Sequence, residues 1–106
     1  MAKKAFAVVY TTCGSRGEAG KIAEALVSEK LAACANIFPI SSVYRWKGKV
    51  EKAKEFAVIL KTRRELVGKI ISRIRELHSY EVPAIVAFNI AEGSNDYLRW
   101  IFDSTE

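Results

Sequence analysis

The chain has 106 residues, one domain by the usual allowance of roughly 100 to 200 residues, so a single unit over 1–106 is expected and a second core is excluded. Half the residues are apolar and 27% are charged, which is the composition of a folded globular protein and excludes a disordered one. Seventeen Lys and Arg against 12 Asp and Glu leave +5; this admits a nucleic-acid partner, but the basic residues lie scattered beside acids and read as solvated faces.

From the N-terminus, Lys4 to Thr12 is β-branched and aromatic without helical spacing, and predicts a buried strand. Ser15 and Glu18 then form a capping box, in which hydroxyl and carboxylate each satisfy an orphan amide. The helix behind it runs to about Leu31, with Ala19, Ile22, Ala23, Leu26, Val27 and Leu31 on one stripe. Ala35 to Trp46 turns aromatic and β-branched again, Lys47-Gly48-Lys49 supplies a turn, and Val50 to Thr62 returns as the second arm of a long hairpin. Thr62 and Glu65 read as a second capping box, opening a helix with Leu66, Val67, Ile70, Ile71, Ile74 and Leu77 on its apolar face. Pro83 breaks that pattern. Ala84 to Ile90 is a fourth strand, and residues from Asn95 form a short helix with Tyr97, Leu98 and Ile101 inward.

The order β-α-β-β-α-β plus a terminal helix is the α+β, ferredoxin-like split β-α-β arrangement. Hairpin arms of about 12 residues extend roughly 40 Å, whereas a helix of about 17 residues covers only about 25 Å. The hairpin should therefore overhang its helices. An overhanging ribbon with Tyr44 and Trp46 near its tip needs cover, and another copy of the chain supplies it most simply, so an oligomer built by strand pairing is expected.

No run of about 20 apolar residues exists for a membrane helix, and the apolar run behind Lys3 and Lys4 is shorter than the roughly 7 to 15 residues of a signal peptide; a cytoplasmic location is expected. Cys13 and Cys34 form no CxxC pair and no half of a zinc cluster, and are expected to be free thiols. The topology puts Cys13, the start of the first helix, the hairpin tip and His78 to Tyr80 at one end of the sheet, with Cys34 at the other. His78, the only histidine, reads either as a surface residue favoured by its helix C-terminus or as a ligand for a soft or borderline metal together with Cys13. Enzymatic chemistry is not expected: there is one His, no nucleophile elbow, and the segment from Gly14 to Lys21 fails a phosphate-loop match at Ser15 and Ile22. The third strand offers only Phe56 where an RNA-binding sheet shows several aromatics.

Thr11-Thr12-Cys13, Leu31 to Ile37, Ser42 to Gly48, Lys61-Thr62, His78 to Pro83 and Tyr97 to Ile101 together resemble the CutA family of divalent-cation tolerance proteins, over nearly the whole chain. The resemblance implies a cytoplasmic homotrimer with strands paired between subunits, tolerance of divalent metals and of copper above all, and an architecture similar to PII signalling proteins, which bind ligands in clefts between subunits. The family usually has Pro where this chain has Gly14 and Ser79. Positions matching its assigned copper ligands are Thr11, Leu77 and His78, so only His78 is retained, and Cys13, two residues along the same strand face, could substitute for Thr11. Two expectations follow: copper or another divalent cation held by His78 and Cys13, or a cleft near Tyr44, Trp46, Lys47 and Lys49 that takes a small anion, suited to basic charge and helix-start amides, or a protein partner.

Overall fold

A computed structural model describes residues 5–106; the first-strand expectation at Lys4 lies outside them. The elements are β1 (Phe6–Cys13), α1 (Arg16–Ser28), β2 (Cys34–Trp46), β3 (Lys49–Arg63), a 3-10 turn (Arg64–Leu66), α2 (Val67–Leu77), β4 (Ile85–Ile90) and α3 (Asn95–Ser104). All neighbouring strands are antiparallel, in the order β2-β3-β1-β4. This is the split β-α-β topology the sequence predicts.

Strand alternation gives the sheet two unlike faces. Ala7, Val9 and Cys13 of β1, with Val58 and Leu60 of β3, pack against Ile22 and Leu26 of α1 and Ile70 and Ile74 of α2 in one dry core. Each fully buried branched side chain there contributes roughly 1.5–3 kcal/mol. The opposite face is covered only at its lower end, where Ile101 of α3 meets Phe6 and Ala33. No helix among the described residues is long and apolar enough to cross a membrane.

The overhang is present. Pairing with β1 ends at Cys13 opposite Phe56, while β2 and β3 continue together from Ile40–Glu55 out to Trp46–Lys49, and the molecule extends 49 Å along its longest axis. The tip is a two-residue turn, with Lys47 at φ 50° and Gly48 at φ 79°, the all-positive geometry that matches strand twist. Lys49 therefore belongs to β3 and not to the turn.

Three local expectations are corrected. The first helix stops at Ser28 because Lys30 adopts φ 61°, and the amides of Lys30 and Leu31 bond the carbonyls of Val27 and Leu26, a Schellman closure in which lysine occupies the position glycine favours. Thr62 caps no helix: it is still in β3, facing the helices opposite Ala7, and its hydroxyl donates to the Leu31 carbonyl at 2.6 Å, while Glu65 pairs with Arg63. Tyr97 is 40% exposed rather than inward; it stacks on Trp100 and its hydroxyl lies 3.4 Å from Cys34 Sγ.

Candidate functional site

The upper end of the sheet gathers residues from four elements. Ser15 caps α1, its Oγ accepting the Glu18 amide at 3.1 Å. The reciprocal half of the predicted capping box is absent, because the Glu18 carboxylate reaches instead to the loop after α2 and accepts the Ser79 N–H at 2.7 Å. Burial, the largest influence on that carboxyl, pushes its pKa up, but hydrogen bonds from Ser79, the nearby His78 ring and the Gly14 amide outweigh it and hold Glu18 below its ordinary 4.5.

His78 ends α2 with its side chain fully buried. Its Nε2 lies 2.7 Å from the Thr12 carbonyl, which can only accept, so this nitrogen is the N–H donor. Its Nδ1 accepts the Tyr80 amide at 3.1 Å. Both ring nitrogens are thus engaged by backbone, and the surface-cation expectation for His78 is corrected: the ring is a buried strut between β1 and the Tyr80 loop.

Cys13 is also at this end and fully buried. Burial, then the charges of Glu18 and Glu55, push its thiol up to about 11, so it stays protonated near neutral pH and is a poor nucleophile. Cys34 stands at the far end of the sheet, opposite Lys61. Both cysteines are free. No group of three or more His, Cys, Asp or Glu among the described residues has metal-holding geometry.

Beside this cluster, on the sheet face opposite α1 and α2, lies a groove of about 930 Å³. Its walls are Tyr10 and Thr12 of β1, residues 40–46 of β2, Glu55 of β3, and Tyr80, Glu81, Val82 and Ala84 of the loop before β4. Of the residues expected at a cleft between subunits, Tyr44 and Trp46 line this groove of the single chain and Lys47 and Lys49 do not; Lys47 Nζ lies 5.7 Å from the Trp46 ring centroid. The Tyr80 hydroxyl donates to Glu55 Oε2 at 2.8 Å, and burial, that bond and the neighbouring charge of Glu55 push the phenol pKa upward. Gly14 makes room for the ring, since a Cβ there would stand 3.1 Å from the Tyr80 oxygen.

A small depression at the start of α1, whose amides the anion expectation drew on, is lined by Ser15, Glu18, Lys21, Leu77 and Ser79. The Glu18 carboxylate already takes the Ser79 amide there, so an entering anion meets a like charge.

The CutA1 family profile, described as CutA1 divalent ion tolerance protein, matches residues 7–104. The chain belongs to the CutA1 divalent ion tolerance family. It is 45% identical over 98 residues to the divalent-cation tolerance protein CutA of Archaeoglobus fulgidus, covering 92% of this chain and 96% of that one. It is 46% identical to the Thermus thermophilus protein of the same name, again over 92% of this chain and 96% of the relative. Among solved structures, CutA1 from Pyrococcus horikoshii superposes with a TM-score of 0.91 at 40% identity, covering 94% of this chain and 98% of that one.

Three residues of this CutA1-family site escaped sequence reading: Glu18 as a cross-link to Ser79, Ser79 itself, and Glu55. Glu55 left one signal, since it alternates with Ala57 and Ile59 on one strand face and so sits among apolar residues.

Proposed function

We propose that this CutA1-family chain serves in tolerance of divalent cations as a homotrimeric binding protein, not an enzyme, with the groove beside Tyr80 as its working site. The observation that carries this reading is the engagement of both His78 nitrogens by backbone groups, next to a groove whose Tyr44 and Trp46 walls stay open. A copper ion at His78 would have to displace the Tyr80 amide and take the proton of a buried thiol at Cys13. Support for the trimer comes from apolar residues that no helix covers: Val43 is 67% exposed, Val50 60% and Phe88 59%. Such a surface on a projecting ribbon and an open sheet face marks an interface, and a neighbouring copy would close the groove into a cleft of the PII-like kind. Two free thiols suit a reducing compartment such as the cytoplasm.

Direct copper binding is the second reading. It is favoured by one fact: Cys13 and the His78 ring share the upper end, the ring resting on the carbonyl of the preceding residue, Thr12.

Titration calorimetry with Cu²⁺, Cu⁺ under anaerobic reduction, Zn²⁺ and Mg²⁺, on the wild type and His78→Ala, separates the two. Weak heats common to all ions and unchanged in the variant are expected; micromolar copper binding weakened about tenfold or more by His78→Ala, a loss of roughly 1.4 kcal/mol, would transfer the function to the metal site. Light scattering should give the mass of three chains. Copper tolerance of a host lacking its own copy should fall with Trp46→Ala.

A further inference from the structure

Glu55 is 7% exposed and lies in register with Ile40, on the open sheet face that carries Tyr10, Tyr44 and Trp46. One of its oxygens accepts the Tyr80 hydroxyl. No Lys, Arg or His among the described residues forms an ion pair with it. A carboxylate removed from water without a counter-charge is costly, and one neutral phenol does not neutralise it. Tyr10, Tyr44, Trp46 and Tyr80 line the same groove, and the faces of such rings attract cations; Trp46 stands six residues beyond Ile40 along β2, toward the hairpin tip. Arg45 also lines the groove without pairing to Glu55, and Glu81 adds a second acid at the rim. A volume of about 930 Å³ is that of a small-molecule site.

We propose that this groove binds a small organic cation, a protonated amine whose N–H donors meet Glu55 and whose apolar body lies toward Tyr44. The proposal rests on the groove as the working site and adds the charge class of its ligand. Inorganic or carboxylate anions meet Glu55 and Glu81. A divalent metal finds one buried carboxylate where it wants several oxygen, nitrogen or sulfur ligands.

The test uses three probes of similar shape, benzylamine, benzyl alcohol and benzoate, titrated calorimetrically into the full chain in its native oligomeric form. Benzylamine is expected to bind saturably and about tenfold or more tighter than benzyl alcohol, as a charged hydrogen bond predicts, with benzoate weakest. Glu55→Gln keeps an acceptor for Tyr80 and removes the charge, so it should abolish the preference for the amine. Tyr44→Ala should weaken amine and alcohol alike. Should Glu55→Gln fail to fold, the three-probe series on the wild type and the exposed Tyr44 variant still decide. Equal affinities for the three probes overturn the proposal, as does an amine preference that survives Glu55→Gln. So does absence of amine binding with Glu55→Gln loosening the oligomer, which would assign the counter-charge to a neighbouring copy. Absence of any amine preference in the wild type, with copper tolerance still sensitive to Trp46→Ala, rejects the cation and spares the groove; tolerance indifferent to Trp46→Ala rejects the groove itself.

Discussion

The two halves of the β2-β3 hairpin are built from one continuous ladder yet live in different solvents. Its base, from Phe56 to Thr62 and from Cys34 to Pro39, lies over two helices and beside β1, and Val58 and Leu60 are completely buried. Its distal half, beyond the Ile40–Glu55 pair, has no strand partner but itself among the described residues. The base has its partners inside the chain, whereas the tip waits for partners outside it. Similar β-branched and aromatic residues therefore stabilise the fold in one half and display a surface in the other.

That contrast is tested most strongly by truncation in each half. Leu60→Ala should cost about 3 kcal/mol in urea unfolding, the usual price of a cavity in a dry core. Val50→Ala should cost about 0.5 kcal/mol or less in dilute protein, with a larger loss at high concentration if copies cover the tip. Equal losses at every concentration would erase the distinction.

Glu18 sharpens the comparison at the junction, where α1 is tied to the Tyr80 loop. Its pKa is lower folded than unfolded, so it adds stability above the ordinary carboxyl value, and that contribution disappears as pH falls through the lowered native value. Urea unfolding across about pH 3 to 7 should show a shallower acid limb in Glu18→Gln, with a loss at neutral pH of roughly 1.5–3 kcal/mol for the charged hydrogen bonds. An unchanged pH profile would remove Glu18 as the tie.

Smaller effects come from two residues outside the hairpin, in β1 and after α1. Thr11 Oγ1 is buried without a hydrogen-bond partner among the described residues, so Thr11→Val should gain about 1 kcal/mol by removing an unsatisfied polar atom at constant shape. Lys30 holds a left-handed conformation, and Lys30→Gly should raise the unfolding free energy by about 0.5–1 kcal/mol. Thermal or urea unfolding of either variant measures it, and a loss in place of a gain would contradict the local account.

The correct element order was legible because it rests on periods of 2 and 3.6 residues, which Val8 to Thr12 or Ile70 and Ile74 express within a few positions. The misread caps share one cause. Thr62 and Glu18 carry the right residue types at the right spacing, but each has a better partner elsewhere, the Leu31 carbonyl and the Ser79 amide. In the candidate site, Tyr44 and Trp46 are conspicuous in the sequence as aromatics near a turn, while Lys47 sits in the two-residue turn itself and Lys49, though in register with Trp46, does not line the groove. Glu55 was missed since a lone acid in a strand is ordinarily solvated.

By itself the sequence determined the topology, the overhanging ribbon and the family, because hydrophobic spacing and strand length are local quantities. The tertiary structure alone decided which groups meet at the upper end. His78 finds the Thr12 carbonyl across 66 residues, and Glu18 finds the Ser79 amide across 61. Such pairings depend on strand order and register, so no local pattern encodes whether a histidine keeps a free lone pair or a buried glutamate lacks a cation.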